Sequence, residues 1–467
     1  MKLEFKNGWN VIKDDEKAKV FDFAEGYKKF LNTSKTERES VNSTVALAEA
    51  AGFVPLESME ALKAGDKVYA VNKNKGIMLC TIGKKPLSEG VNILGSHIDS
   101  PRLDLKQNPL FDDAGLAFFK THYYGGVKKY QWTAIPLAIH GVVIKADGTK
   151  VEICVGDYDD DMTFVITDLL PHLGRGQMGK NGYDLINGEQ LTLLLGSIPF
   201  ERDEDEEVTG RKKGEVKSKV LSIIEERYGI DETDFISAEL EIVPAFEAKD
   251  LGFDRSLIAA YGHDDRVCAY AAIKALLEAD TPERTAVCLL TDKEEVGSMG
   301  NTGAKGYFMQ LTLAEIMEKT GEDPSDINRL RMLDKSYCLS ADVSAAFDPK
   351  FADVYDKMNS GRINEGIAVS KYTGSGGKSG SNDASAELMG LVRKIFNDND
   401  VLWHTAELGR VDAGGGGTIA MFVANLGVNT IDCGVPVLSM HAPYEAVAKM
   451  DLYMTYKAFA AFLKDCK

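Results

Sequence analysis

The chain has 467 residues and a formal net charge of −18, with 72 acidic and 54 basic side chains. This length predicts two domains rather than one hydrophobic core. The acidic balance, without a basic patch interleaved with aromatic residues, predicts that the protein binds neither nucleic acid nor an anionic membrane surface.

The lengths of the apolar runs and the spacing of the cysteines predict the cellular compartment. No apolar run is long enough to span a bilayer, and the N-terminal residues lack the apolar segment and cleavage site of a secretory signal. The 7 cysteines are scattered, without a CxxC pair, which favours buried free thiols over a disulfide framework. We therefore expect a cytoplasmic protein without a membrane partner.

Strand-like and helix-like segments alternate along the chain, which predicts an α/β fold with a mainly parallel sheet. The apolar runs that predict buried strands are residues 91–95, 285–291, 337–341 and 428–433. Helical spacing of apolar residues predicts an amphipathic helix over 265–278, and a closing helix is predicted over 444–464.

Residues 107–244 have a different pattern. The run 132–144 alternates in the manner of antiparallel strands, and the charge-dense segment 201–219 predicts an exposed loop. We therefore predict a β-rich domain at 107–244, inserted into a first domain made of residues 1–106 and 245–467.

Polar residues follow the predicted strands at their carboxyl ends, where open α/β sheets place active sites. His97 and Asp99 follow the first strand, Glu294 and Glu295 the second, and Asp342 the third. Adjacent carboxylates in a pocket repel unless a proton or cation lies between them. A cation would let one glutamate bind metal while the other acts as a general base.

Histidines and carboxylates, one of them bridging, are the ligands that a pair of divalent ions takes in amide hydrolysis. Asp264, just before the predicted helix, suits the bridge, and Asp99 suits a carboxylate that orients His97. Each residue alone also has a simpler interpretation, as a turn, a helix N-cap or a structural histidine.

Seven ordered segments together resemble the M18 family of metalloaminopeptidases. They are GSHIDSPRLDLK (95–106), YGHDDRVCAY (261–270), TDKEEVGSMGNTGA (291–304), LSADVSAAFDP (339–349), KYTGSGGKSGSND (371–383), DAGGGGTIA (412–420) and SMHAPYE (439–445). The resemblance covers nearly the whole chain. It implies a zinc-peptidase-like catalytic domain with an inserted β-rich oligomerisation domain, peptide substrates, and a homo-oligomer built as a tetrahedral dodecamer.

The resemblance also implies two divalent metal ions, zinc or else cobalt or manganese, and a role for each motif residue. The implied roles are bridging ligand for Asp264, ligands of one ion for His97 and Asp342, ligands of the other for Glu295 and His441, general base for Glu294 and catalytic aspartate for Asp99. His172 resembles a family histidine that reaches a neighbouring subunit's site and stabilises the oxyanion; a packed loop histidine is the alternative.

The resemblance places Lys378 and Gly416 near the substrate. Lys293 stands where eukaryotic aspartyl aminopeptidases carry histidine, and the segment around Lys378 lacks their bulk, so the chain is closer to a bacterial subgroup. A lysine in the pocket would favour N-terminal Asp or Glu, whereas a solvated lysine would leave a broader preference. The glycine run 414–417 lacks the lysine of a P-loop and predicts a close backbone approach to substrate.

Two other functions remain open from the sequence. One is a related two-metal amidase, such as a deacylase or carboxypeptidase, which would recognise a different end of its substrate. The other is a non-catalytic peptide-binding assembly. Retention of the predicted ligands together with Glu294 and Asp99 favours the aminopeptidase.

Overall fold

The computed structural model describes residues 6–200 and 214–467. The chain divides into two compact units. The first contains the described residues up to Ser100, together with Ala248–Met440 and Glu445–Lys467; the second contains the described residues between Pro101 and Glu247, together with His441–Tyr444. The predicted boundary after residue 106 falls inside the strand Arg102–Asp113. The second unit instead begins at Pro101, just before this strand. The whole strand belongs to the second unit because its hydrogen bonds join it to the neighbouring strands of that unit's sheet.

Strands account for most of the framework in both units. Within the described ranges, the first ten are β1 (Val54–Pro55), β2 (Lys67–Asn72), β3 (Gly76–Thr81), β4 (Asn92–His97), β5 (Arg102–Asp113), β6 (Leu116–Tyr124), β7 (Leu137–Ile144), β8 (Lys150–Val155), β9 (Thr192–Gly196) and β10 (Ala238–Pro244). They are followed by β11 (Lys249–Leu251), β12 (Leu257–Ala260), β13 (Ala286–Thr291), β14 (Tyr337–Ser340), β15 (Ser344–Ala345), β16 (Ile367–Ser370), β17 (Trp403–Thr405), β18 (Asn429–Gly434), β19 (Pro436–Leu438) and β20 (Glu445–Ala448).

The helices lie mostly in the first unit. In the described part of the chain they are α1 (Gly8–Val11), α2 (Asp14–Asn32), α3 (Glu37–Ala50), α4 (Arg175–Met178), α5 (Glu215–Tyr228), α6 (His263–Leu277), α7 (Phe308–Lys319), α8 (Asp326–Asp334), α9 (Ala386–Asp398), α10 (Ala420–Ala424) and α11 (Lys449–Asp465). Local sequence explains several of their ends. Thr36 and Glu39 form a capping box at the start of α3, and Ser385 caps α9. None of the described helices is both long and apolar enough to cross a membrane.

A nine-stranded mixed sheet, ordered β1-β2-β3-β13-β4-β14-β18-β16-β17, forms the centre of the first unit. Its neighbouring strands β13, β4, β14 and β18 run parallel, so their carboxyl ends lie at one edge. Every residue of β4 and β13 is buried, as expected for parallel strands covered on both faces. Helix α6 packs against β4 and β13 and is buried along nearly its whole length. A five-stranded sheet, ordered β11-β12-β20-β19-β15, completes this unit.

The predicted closing helix over 444–464 is wrong at its start. Glu445–Ala448 form β20, which pairs antiparallel with β12 and β19, and α11 begins only at Lys449. These four residues become a strand because two partner strands satisfy their backbone groups, information that helical periodicity does not contain.

The second unit is built on a six-stranded antiparallel sheet, ordered β8-β7-β10-β5-β6-β9. Helix α5 packs on this sheet, and a cavity of about 140 Å³ between them is lined mainly by apolar side chains. The predicted loop over 201–219 is wrong from Glu215 onward, where α5 begins; residues 201–213 lie outside the described residues. Val216, Val220 and Ile223 recur at helical spacing, which explains why this charged segment still forms a packed helix.

Candidate active site

His97, the last residue of β4, has a buried side chain. Its Nδ1 lies 3.0 Å from the main-chain oxygen of Asp99, and its Nε2 lies 3.1 Å from Oδ1 of Asp264 and 3.8 Å from Oδ1 of Asp342. Burial lowers the pKa of His97, but hydrogen bonds to Asp264, Asp342 and Asp99 outweigh it and hold the pKa well above its usual value. Nε2 faces the carboxylates of Asp264 and Asp342, and this set of donor atoms also suits a metal cation.

Asp99 joins the ends of two strands. Its side chain is fully buried, and Oδ1 lies 3.3 Å from Nδ1 of His97. Its two carboxylate oxygens accept hydrogen bonds from the main-chain N–H groups of Glu294 at 3.1 Å and Glu295 at 3.2 Å. These glutamates begin a short 3₁₀ helix, Glu294–Val296, just after β13. One carboxylate therefore orients the histidine and both glutamates.

Asp264 lies in the first turn of α6, where backbone groups hold it. Its N–H donates to Oε2 of Glu445 at 3.2 Å, and its carbonyl accepts from Oγ of Ser100 at 2.5 Å. The neighbouring Asp265 is buried and accepts a hydrogen bond from Ser96. Burial, with the nearby charge of Asp342, raises the pKa of Asp265 well above its usual value.

Histidine and carboxylate atoms crowd together at this edge of the sheet. Among the described residues, ligand atoms lie within 4.8 Å of one another in the group His97, Asp264 and Glu295 and in the group His97, Glu294 and Asp342. Burial first of all, together with the charges of Asp342, Asp99 and Asp264 and against the opposing effect of His97, raises the pKa of Glu294 to about 8. Carboxylates that repel one another beside an imidazole are a donor set that fits divalent zinc.

This arrangement brings together five of the predicted site residues: His97, Asp264, Glu294, Glu295 and Asp342. Asp264 lies with His97 and Glu295, and its bridging role stays a prediction. Glu294, which the sequence predicted as a base rather than a ligand, lies with His97 and Asp342, so its carboxylate is next to predicted ligands.

The two other predicted histidines belong to the second unit. His441 lies in its segment His441–Tyr444, with Nδ1 at 3.1 Å from the main-chain oxygen of Gly126. His172 is an exposed residue of the loop before α4. The ligand role of His441 and the oxyanion role of His172 stay predictions that rest on their motifs.

Lys378 carries an ion-pair partner that the sequence analysis missed. Its Nζ lies 2.9 Å from Oδ2 of Asp383 and 3.8 Å from the ring centroid of Tyr372, and Lys371 contacts the other oxygen of Asp383. Lys378, Tyr372 and Glu407 line a small cavity of about 40 Å³. The net charge of Lys371, Lys378 and their surroundings therefore depends on Asp383, the last residue of the motif 371–383.

The glycine run makes close contacts within the chain itself. An added Cβ at Gly414 would lie 2.0 Å from the main-chain oxygen of Leu408, and one at Gly415 would lie 2.5 Å from Cα of Ser375. Gly416 itself donates its N–H to the main-chain oxygen of Thr373 at 3.1 Å. Backbone contacts within the chain therefore require glycine at 414 and 415, and the approach of Gly416 to substrate stays a prediction.

Other residues that shape the site carried no assigned role in the sequence analysis. Ser96, Ser100 and Glu445 hold the backbone and side chains around Asp264 and Asp265. Ser96 and Ser100 flank the His-x-Asp motif, and Glu445 ends the motif 439–445. Their positions in these motifs could have identified them as site residues.

A sheet with a parallel centre and clustered histidine and carboxylate groups at its strand ends defines a metal-dependent hydrolase. The family model for the Aminopeptidase I zinc metalloprotease (M18) matches residues 30–463. The chain belongs to the M18 family. The predicted resemblance is therefore confirmed, and with it a metal cofactor.

Relatives and solved structures agree with this assignment. The chain is 49% identical over 466 residues to a probable M18 family aminopeptidase 1 of Clostridium acetobutylicum, covering 99% of this chain and 98% of that protein. It superposes on the crystal structure of an M18 aminopeptidase from Thermotoga maritima with a TM-score of 0.94 at 45% identity, covering 99% and 100% of the two chains. A Saccharomyces cerevisiae mApe1 dodecamer, 22% identical, shares the fold with a TM-score of 0.74 over 94% and 96%. The predicted metalloaminopeptidase activity is thus confirmed.

Proposed function

We propose that this aminopeptidase hydrolyses the first peptide bond of short peptides with two divalent ions, with zinc favoured and cobalt or manganese as alternatives. The observation that carries the proposal is the pair of ligand groups that share His97. When bound, such ions supply an activated water and polarise the scissile carbonyl. Asp264 would bridge them, His97 and Asp342 would bind one, and Glu295 and His441 the other.

Glu294 is the proposed general base. Its carboxylate takes a proton from the attacking water and returns it to the leaving amine. Burial and neighbouring carboxylates raise its pKa to about 8, and bound cations would lower it again, which leaves an ionised carboxylate that accepts a proton near neutral pH. Asp99 supports the reaction through its contacts with His97 and with the main chain of Glu294.

We propose a broad or neutral preference for the N-terminal residue. Lys378, proposed with Gly416 to lie near the substrate, is paired with Asp383 and is not an uncompensated cation. A paired lysine gives less attraction for an acidic side chain than an unpaired one, because its partner must first be displaced. Acidic substrates would be favoured only if they replaced Asp383.

The inserted oligomerisation domain, corresponding to residues 107–244, would build a homo-oligomer, proposed to be a tetrahedral dodecamer, in which His172 acts in a neighbouring site. Exposed apolar side chains near this histidine, including Leu169, Leu173 and Met178, support a surface that binds another copy. Light scattering of the purified protein would give a mass far above 51.0 kDa, and a monomer's mass would exclude both proposals.

The free thiols of all 7 cysteines agree with a reducing cytoplasm.

Assays with aminoacyl-anilides, N-acylated amino acids and peptides blocked at either end test the reaction. We expect hydrolysis only of substrates with a free amino terminus, loss of activity with a chelator, and recovery with about two equivalents of zinc per chain. Cleavage of N-acylated substrates would support the deacylase alternative, and removal of C-terminal residues the carboxypeptidase alternative.

A further inference from the structure

The segment that follows β13 carries Glu294 and Glu295 and then returns to the end of the same strand. Asp292, the first residue after β13, forms an isolated parallel bridge with Gly303, and its N–H donates to the main-chain oxygen of Thr302 at 3.3 Å. Residues 293–301 therefore form a closed loop whose two ends meet at Asp292 and Thr302. Both glutamates of the candidate active site lie in this loop.

One buried side-chain contact joins the two ends of the loop. Oγ1 of Thr302 donates to Oδ2 of Asp292 at 2.6 Å, and both residues are buried. Oδ1 of Asp292 accepts a hydrogen bond at 2.8 Å from the N–H of Lys293, whose backbone is left-handed with a φ of 66°. A left-handed backbone is unfavourable for a residue with a Cβ, so this contact helps to hold the turn just before Glu294. The Asp292 carboxylate therefore binds both the start and the end of the loop.

Two further contacts attach the main chain of this loop to other strands. At its start, the N–H groups of Glu294 and Glu295 donate to the carboxylate of Asp99. At its end, Nδ2 of Asn72, the last residue of β2, donates to the main-chain oxygen of Asn301 at 2.9 Å. The contact between Asp292 and Thr302 fixes the separation of these two attached ends. Because a misplacement of about 1 Å in a reacting group can lower a rate about 100-fold, a contact that holds this loop affects catalysis without touching the substrate.

We propose that Asp292 and Thr302 are positioning residues, whose hydrogen bond holds the loop 293–301 in the conformation that places Glu294 and Glu295 for catalysis. Both act through the loop and not on the substrate. The sequence analysis gave neither residue a role, although both lie in the motif 291–304. The inference rests on the proposed function in the role given to Glu294.

Thr302→Val and Thr302→Ser test the hydroxyl group. Valine keeps the branched shape of threonine but donates no hydrogen bond, so we expect kcat to fall about tenfold or more with KM within about threefold of wild type. Serine keeps the hydroxyl and should retain at least about half of the wild-type kcat. A kcat within about twofold of wild type in Thr302→Val, or an equal loss in Thr302→Ser, would overturn the proposal.

Thr312→Val provides a matched control. Thr312 is also buried, and its hydroxyl donates to the main-chain oxygen of Phe308 at 2.9 Å within α7, outside the candidate active site. This variant loses one buried hydroxyl hydrogen bond, as Thr302→Val does, and should keep the wild-type kcat. An equal fall of kcat in both valine variants would attribute the loss to general destabilisation and would refute the positioning role.

Hydrogen exchange measures the loop independently of activity. In metal-free protein, peptides that cover residues 292–302 should exchange faster in Thr302→Val than in the wild type and in Thr302→Ser. Peptides from the second unit should keep their wild-type rates. Unchanged exchange of the loop in Thr302→Val would show that the hydrogen bond does not hold it.

A double variant separates this inference from the role of Glu294. If Thr302 acts through Glu294, adding Thr302→Val to Glu294→Gln should lower kcat by less than about twofold, because residues that act as a unit have non-additive effects. A further loss of about tenfold would contradict the positioning of Glu294. A fully active Glu294→Gln would instead refute the proposed base, while loop exchange and the comparison of Thr302→Val with Thr302→Ser would still decide whether this hydrogen bond supports catalysis.

Discussion

Oδ1 of Asp99 accepts a hydrogen bond from the main-chain N–H of Glu294 at 3.1 Å, which links the end of β4 to the segment after β13. We expect Asp99→Asn to lower kcat about 10- to 100-fold with bound metal unchanged, because the amide disturbs contacts with His97 and both glutamates but removes no ligand. Steady-state kinetics with metal analysis would check this. A kcat within twofold of wild type would show that Asp99 is not a positioning residue.

Glu294→Gln tests the proposed base. Glutamine keeps the size of the side chain but does not accept a proton, so we expect kcat to fall about 10²- to 10⁴-fold with KM little changed. Metal analysis should still find two ions per chain. Loss of one ion would instead make Glu294 a ligand, a role that its position beside His97 and Asp342 also allows.

Asp264→Ala should give the opposite pattern. The proposed bridge contributes to both ions, so its removal should lower the bound metal from two ions to fewer than one and abolish activity together with it. The main-chain contacts of Asp264 with Glu445 and Ser100 do not involve its carboxylate, so the fold should survive. Circular dichroism would verify this. Full metal content in Asp264→Ala would refute the bridging assignment.

Strand ends made much of this site predictable, because His97, Glu294 and Asp342 lie at or shortly after the ends of apolar strands, and parallel strands bring such ends to one edge of the sheet. Each residue alone had a simpler interpretation, so the prediction depended on their combination. Interactions between distant residues were harder to predict. Glu445 belongs to a strand only because β12 and β19 lie beside it, and the charge of Lys378 depends on how a glycine-rich loop folds back to Asp383.

A buried ion-pair cluster outside the site makes acid stability testable. Asp250 lies 2.7 Å from Nζ of the fully buried Lys449 and also contacts Lys28 and Arg255. Burial raises the pKa of Asp250, but hydrogen bonds from these cations outweigh it and hold the pKa well below its usual value. Because the folded pKa is depressed, the stabilisation is fully present above the unfolded pKa of about 4 and is lost as pH falls below it.

We expect Asp250→Asn to lower the free energy of unfolding at pH 7 by about 3 kcal/mol, mainly because Lys449 loses its buried partner. The difference from wild type should shrink as pH falls below about 4. Urea unfolding across pH measures both effects, with the exposed Asp280→Asn as control. An unchanged difference at low pH would show that Asp250 does not supply this pH dependence.

Substrate choice provides a test that separates Lys378 from its partner. In the wild type, Asp383 compensates Lys378 and Lys371, so we expect kcat/KM for N-terminal Leu to exceed that for Asp, and Lys378→Ala to leave their ratio nearly unchanged.

Asp383→Asn would leave both lysines without this carboxylate. A charge-assisted hydrogen bond of about 1.5–3 kcal/mol to an acidic substrate would then raise the Asp-to-Leu ratio about ten- to a hundredfold. In the double variant Lys378→Ala with Asp383→Asn, most of that gain should disappear. If the wild type prefers Asp and Lys378→Ala removes the preference, substrate displaces Asp383, and the broad preference proposed for this enzyme is wrong.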